Sequence, residues 1–223
     1  MSTPRYTLVI GNKNYSSWSL RLWLLMKQSG IAFDEVRIPL YGAGSKEEIK
    51  KYSPSGKVPA LLDGDVTVWD SLAICEYLAE RHPELHLWPA EPAQRAMARS
   101  VSAEMHSGFA ALRSNMSMNC RGSFPGVGRT VEVAADIERI QRIWSGCREH
   151  AASQGPFLFG GFTIADALYA PVVLRFKIYA VQLSPVCRQY ADAILALPGV
   201  QQWVEAAKSE TEVIPAFEPA ATP

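Results

Sequence analysis

YTLVIGNKNYSSWSLRLWLLMKQSG, residues 6–30, passes from a short apolar run to a longer one through a stretch of asparagines and serines. The run YTLVI at 6–10 is rich in strand formers and reads as a buried strand. Residues 16–29 read as a helix, with a serine at its N-cap and Gly30 just past its end. Leu20, Trp23, Leu24 and the stem of Lys27 recur at helical spacing and predict one apolar face. The serines stand where the strand ends and the helix begins. One hydroxyl can cap the helix while another points into the crevice beyond the carboxyl ends of the strands. An anion placed there meets unpaired N–H groups, the positive end of the helix dipole and a hydroxyl donor. A thiolate suits such a place: a free thiol has a pKa near ~8.5, and ionising it at neutral pH takes a shift of about 1.4 to 2.7 kcal/mol. No base at a telling spacing would make these serines nucleophiles of the triad kind. The alternative is that all three are caps and turn residues.

Outward from this seam, IAFDEVRI (31–38) predicts a second strand, and Ser45-x-x-Glu48 reads as a capping box opening a short helix. In KVPALLDGDVTVWD (57–70) two apolar runs flank Asp63-Gly64, a hairpin signal. Asp70 and Ser71 then start the helix SLAICEYLAERHP, stopped by Pro83. Strand, helix, strand, helix, hairpin, helix implies a small mixed sheet with helices on both faces.

From about residue 92 helical periodicity takes over. Val101, Met105, Phe109, Leu112 and Met116 predict one helix over about 93–118, and a second is expected over 131–152. A third begins at Thr163 and carries Leu168, Tyr169, Val172, Val173 and Phe176. Two shorter ones, 186–197 and 199–210, are split by Pro198-Gly199. The expected organisation is an α/β domain over 1–84, a linker over 85–94 holding Pro89 and Pro92, and an all-helical domain over 95–223. Between helices, the Gly- and Pro-rich loop at 115–130 reads as a mobile wall, and the tail FEPAATP at 217–223 as loose. GVGRT at 126–130 follows no strand, so it makes no phosphate loop.

The composition bounds the partners. With 22 Lys plus Arg against 22 Asp plus Glu in 223 residues, there is no positive field to draw nucleic acid or an anionic membrane. No apolar run approaches the ~20 residues a membrane span needs, and no secretory leader opens the chain, so a cytoplasmic protein acting on a small molecule is expected. Cys75, Cys120, Cys147 and Cys187 form no CxxC pair and have no His at metal-ligand spacing. They read as free buried thiols, with no metal site.

Two further stretches carry possible chemistry. Val58-Pro59, after Ser-Pro-Ser-Gly and Lys57, is a good place for a cis peptide, which turns the main chain of Val58 outward to pair with an extended peptide. Ser71 and the N–H groups opening its helix can hold a carboxylate, while Asp70 can hold an ammonium; together they match the zwitterionic end of an amino acid.

A thiolate site, a main-chain pairing site and an amino-acid-end site, in that order on one α/β domain, resemble a cytosolic glutathione transferase over nearly the whole chain. Ser16-Ser17-x-Ser-x-Arg21 resembles the serine motif of zeta-class and theta-like enzymes, of a bacterial type. GGFTIADALYAP (160–171) resembles the family's capping box, Thr163-x-x-Asp166, and is assigned to folding. The resemblance implies a thioredoxin-like N-terminal domain joined to an all-helical one, and a homodimer. It implies glutathione as co-substrate, with Ser16 or Ser17 donating to its sulfur and Ser16 preferred. Val58 and Pro59 would pair with its main chain, Asp70 and Ser71 would hold the γ-glutamyl end, and Lys57 would approach the glycyl end. Trp18 stands where zeta enzymes carry a cysteine, and Asp70 is shorter than the usual Glu or Gln. The acceptor would be a small, mostly apolar electrophile in a detoxification reaction, bound between the domains near His106, Phe109 and Arg113. Arg99, His106 and Arg113, seven apart, read as one basic helix face; if it lines the cleft, an isomerase of an unsaturated diacid, maleylacetoacetate isomerase-like, is the alternative. A non-catalytic binding or assembly module of the same fold is the other.

Overall fold

The computed structural model describes residues 5–151 and 154–218, so the sequence readings at 1–4, 152–153 and 219–223 lie outside the described residues. Strand β1 (Tyr6–Ile10) runs parallel to β2 (Phe33–Arg37) and antiparallel to β3 (Ala60–Asp63), and β3 pairs antiparallel with β4 (Val66–Trp69). The order β2-β1-β3-β4 is the mixed sheet expected from two crossovers and a hairpin. Alternation along β1 splits the core. Tyr6, Leu8 and Ile10 face α1 (Ser17–Gln28) and α3 (Ser71–Arg81), whereas Val9 faces Ile38, Ala60 and Ile49 of α2 (Ser45–Lys50).

The second half is helical: α4 (Pro92–Ser107), α5 (Ala110–Asn115), α6 (Val131–Ala151), α7 (Ile164–Ile178), α8 (Pro185–Leu195) and α9 (Pro198–Lys208). Among the described residues, no helix is long and apolar enough to cross a membrane.

Four local readings change. The helix expected over 93–118 breaks at Gly108, where a side chain would meet the Glu104 carbonyl at 2.7 Å, and Phe109 takes a φ of 57° before α5 begins. Arg99, His106 and Arg113 therefore share no single helix face, and Arg99 pairs with Glu76. The hairpin turn is Gly64-Asp65, not Asp63-Gly64: Asp63 pairs with Val66 in the ladder, and Arg5 and Tyr77 hold its carboxylate at 2.6 and 2.8 Å. Ser45 caps nothing. The N-cap of α2 is Gly44 at a φ of 77°, and the Ser45 hydroxyl donates to the Pro39 carbonyl at 2.6 Å. Finally, α1 has no exposed polar face of the kind expected; every residue from Ser19 to Met26 is buried.

That last difference positions the site. α1 lies between β1, α3, α7 and α9, and α7 is buried at every residue except Lys177. Two helices buried along most of their length meet at the centre of the molecule, and only charged residues near their C-terminal ends, Lys27 and Lys177, reach the surface. Each carries one arginine into this centre, Arg21 and Arg175.

The segment 116–130 and the tail are held rather than loose as far as they are described. Asn119 and Arg121 bond to Asn14, Tyr15 and the tail, and the Glu218 carboxylate accepts from Tyr15 Oη at 2.5 Å and from Asn119 Nδ2 at 2.9 Å. The cysteines are unpaired, and burial raises Cys120 and Cys147 to about 12, so neither is a nucleophile at neutral pH.

Candidate active site

Between the ends of β1 and β3 and the helical half lies a cavity of about 1360 Å³, large enough for a tripeptide and a second small molecule. Ser16, Ser17, Lys57, Val58, Pro59, Asp70 and Ser71 all line it, as does Arg113. His106 and Phe109 are not part of its wall. The Val58–Pro59 bond is cis.

The two serines differ in their partners. Ser16 is the N-cap of α1, and its Oγ accepts weakly from the Ser19 N–H at 3.4 Å. The Ser19 hydroxyl lies 2.7 Å from Ser16 Oγ and itself accepts from the Gly11 N–H at 3.0 Å. Where the Ser19 hydroxyl is the donor of that pair, the Ser16 proton is free to point into the cavity. Ser17 Oγ accepts from Arg175 Nη2 at 3.2 Å, which also leaves its proton available. Both hydroxyls line one region of the cavity, where the α1 dipole adds its positive end.

At the other end, Asp70 caps α3 from a left-handed φ of 74°, a conformation that needs support in a non-glycine residue. Its Oδ1 accepts from the Leu72 and Ala73 N–H groups at 2.9 and 3.3 Å. Ser71 is fully buried, and its Oγ accepts from Arg21 Nη1 at 3.3 Å.

Beneath both ends lies a cluster the sequence reading did not assemble. Arg21, Arg113 and Arg175 donate only to hydroxyl and carbonyl oxygens, and among the described residues none of the three makes an ion pair. Burial first, and then the charges of Arg175 and Arg113, lower Arg21 to about 9; burial and Arg113 lower Arg175 to about 10. Both remain charged at pH 7. The Arg21 Nε has no hydrogen-bond partner. Trp18 sits between two of them, its ring 4.1 Å from the Arg21 guanidinium and 5.5 Å from that of Arg113, each contact worth about 0.5 to 2 kcal/mol. Buried cations without acidic partners are expensive to keep, and the arrangement becomes favourable when an anion enters the cavity. One sequence signal was available. Each of Arg21 and Arg175 interrupts an apolar helical run with no acid three or four residues away to pair it.

A small mixed sheet with a cis-proline edge, abutting a helical half and enclosing an anion-seeking cavity between them, defines a glutathione-binding class of proteins. The chain matches the family model for the glutathione S-transferase N-terminal domain over residues 15–81 and that for the C-terminal domain over 130–206. It is 31% identical to maleylacetoacetate isomerase of Rattus norvegicus over 195 residues, covering 83% of this chain and 85% of that one. With the Mus musculus maleylacetoacetate isomerase it shares 38% identity over 174 residues, 76% and 77% of the two chains. A glutathione transferase homologue from Burkholderia, solved with bound glutathione, superposes with a TM-score of 0.69 at 25% identity over 93% of this chain and all of that one. The chain belongs to the glutathione S-transferase family.

Proposed function

We propose that this protein binds glutathione in the cavity, where the Ser16 hydroxyl donates a hydrogen bond to the sulfur and stabilises it as the thiolate after the thiol proton has left to solvent, and presents that thiolate to an acidic unsaturated acceptor. The α/β part, residues 1–84, carries the peptide and the helical part, 95–223, supplies the acceptor wall across the 85–94 linker. Val58 pairs with the peptide main chain, Lys57 approaches its glycyl carboxylate, and Asp70 with Ser71 hold its γ-glutamyl end. A cytoplasmic homodimer, as the family resemblance implies, is the working form.

The observation that carries this reading is Arg175, a buried cation without an acidic partner that lines the cavity and holds Ser17. It supports the isomerase alternative over the mostly apolar electrophile, because the charge it offers is wasted on a neutral acceptor. The curated relatives named above are maleylacetoacetate isomerases, which supports the same choice. Addition of a thiolate to one carbon of a conjugated double bond leaves a single bond that rotates, and expulsion of the same thiolate restores the double bond with the co-substrate unchanged. The residues of this chain contribute placement and charge: Ser16 and the α1 terminus hold the sulfur anionic, Arg113 and Arg175 receive acceptor carboxylates, and Trp18 walls the acceptor between them.

The test compares glutathione-dependent isomerisation of maleylacetone with conjugation of 1-chloro-2,4-dinitrobenzene by the wild type and by Arg175→Met. The variant is expected to lose about 10- to 100-fold more kcat/KM on the acidic acceptor than on the neutral one. Equal losses on both would leave a transferase of neutral electrophiles. Glutathione binding without turnover of either would leave the binding module.

A further inference from the structure

The loop from β1 to Ser16, residues 11–15, belongs by sequence to the α/β part, yet much of its main chain is held from the other half of the molecule. Locally, the Asn12 carbonyl accepts from the Tyr15 and Ser16 N–H groups at 3.2 and 2.8 Å, and the Gly11 N–H donates to Ser19 Oγ at 3.0 Å. Lys13 and Asn14 are held from a distance. Their N–H groups donate to the two carboxylate oxygens of Glu210, at 2.7 Å to Oε1 and 3.0 Å to Oε2, across 197 and 196 residues of chain. Their carbonyls accept from Trp203 Nε1 at 2.8 Å and from the Cys120 N–H at 3.2 Å.

Glu210 stands just past the end of α9, with its side chain only 7% exposed. Its own carbonyl accepts from Arg121 Nη1, and Arg121 Nη2 donates to the Glu212 carbonyl at 2.8 Å, so the segment that carries the carboxylate is itself fixed. Arg37 approaches the carboxylate from outside at 3.4 Å, but its nearer partner is Glu212 at 2.9 Å. A carboxylate that accepts from two successive N–H groups makes two charge-assisted hydrogen bonds and holds both peptide planes in one geometry. No apolar side chain between Ile10 and Tyr15 anchors the loop by packing, so these hydrogen bonds decide its path. That path sets where α1 begins, because the Ser16 N–H bonds back to Asn12.

We propose that Glu210 is a positioning residue for Ser16: from beyond α9 it clamps the Lys13 and Asn14 amides and so sets where the Ser16 hydroxyl stands against the glutathione sulfur. The inference rests on the glutathione-binding reading above and deepens it, since it makes the thiolate site dependent on a residue outside the α/β part. Glu210 is not part of the cavity wall, so it acts through the loop and not on the reacting atoms. With the clamp released, the loop leaves its single path and the hydrogen bond from Ser16 to the sulfur forms only part of the time. The thiolate then loses stabilisation, while the contacts proposed for the peptide at Lys57, Val58, Asp70 and Ser71 are untouched. Loss of Glu210 therefore has its own signature, a raised thiol pKa and a lowered kcat with glutathione affinity nearly kept.

The experiment takes the full chain as wild type, Glu210→Ala, Glu210→Gln and Arg37→Met. It measures the ultraviolet absorbance of bound glutathione thiolate across pH, glutathione affinity by calorimetry below neutral pH, and glutathione-dependent isomerisation of maleylacetone. Thermal melts verify that each variant is folded. Glu210→Ala is expected to raise the bound thiol pKa by about one, which lowers the thiolate fraction and kcat by up to about tenfold, while glutathione affinity stays within about threefold. Glu210→Gln keeps one acceptor oxygen, so it should shift the thiol in the same direction but less, and it carries the test if the alanine variant does not fold. Arg37→Met removes only the outer ion pairs and should leave the thiol pKa unchanged. A lowered melting temperature with thiol pKa and kcat unmoved in the Glu210 variants would overturn the positioning role while leaving glutathione binding standing, and so would an equal thiol shift in Arg37→Met. Failure of the wild type to bind glutathione at millimolar concentration would overturn the glutathione reading itself, and the inference with it.

Discussion

The starts of α1 and α7 share a sequence signature, a hydroxyl residue leading an apolar helix, yet they end in opposite states. At α7 the start is closed. The Asp166 carboxylate is fully buried and takes the Thr163 N–H at 2.8 Å, the Thr163 hydroxyl at 3.0 Å and the Leu158 N–H at 3.0 Å. At α1 the start is open. Ser16 and Ser17 line the cavity, Ser16 Oγ beside the Ser19 hydroxyl and Ser17 Oγ accepting from Arg175. A helix terminus whose donors are consumed by its own side chains is a structural joint, whereas one whose donors remain is a site for an anion.

Removing the closed start should give the largest stability effect. Asp166→Ala strands three buried donors in the centre of the helical half and is expected to destabilise the fold by about 3 to 5 kcal/mol in urea or thermal unfolding. The remaining folded fraction should still bind glutathione with near wild-type affinity. A loss below about 1 kcal/mol would mean that water replaces the carboxylate and that the two termini are less different than drawn.

Removing the open start should do the reverse. Ser16→Ala deletes a cap worth about 0.5 to 2 kcal/mol, but it is expected to cut turnover about 10- to 100-fold and return the thiol pKa of bound glutathione toward its free value near ~8.5. Ultraviolet absorbance of the bound thiolate across pH reads this directly. Ser17→Ala should shift the thiol less, because Arg175 remains beneath it. A larger effect from Ser17 than from Ser16 would exchange their roles.

The smallest effect sharpens the same contrast through pH. Burial raises the Asp166 carboxyl to about 6 from 3.8, outweighing its three hydrogen bonds, so between those values the folded state holds a proton that the unfolded state has released. The Asp166 contribution to stability is therefore complete below 3.8 and declines as pH rises through about 6. Asp166→Asn should remove that decline, making the dependence of Tm on pH over this window flatter than in the wild type. An unchanged slope would show that the carboxylate is ionised throughout.

Much of the framework was legible in the residues. β1 matches its expected bounds, Ser16 caps α1, and the Thr163 and Asp166 pair closes α7 as local chemistry requires. Such features depend on neighbours within four residues, which the sequence displays. The misreadings at Ser45 and at Asp63 also arose locally, where a glycine in the left-handed region moved the cap or the turn by one residue. Gly108 was visible too, but the apolar spacing through Phe109, Leu112 and Met116 overrode it. Those residues are buried as expected, but Leu112 lies within the short α5 and Phe109 and Met116 stand at its two ends.

The site divides along the same line. From the sequence alone came the residue types that line the cavity and are proposed to meet glutathione: hydroxyls at a helix start, a Val-Pro pair, and an acid with a serine at a second helix start. Each is a short motif whose chemistry is complete within itself. Only the tertiary structure could put Arg175 under Ser17, 158 residues away in the chain, Arg21 under Ser71, and His106 against Asp70. Periodicity reports that a helix has an apolar face but not what packs against it. Where α1 and α7 bury each other, Arg21 and Arg175 lose water and take their partners, their depressed pKa values and their appetite for an anion from whatever the fold places opposite.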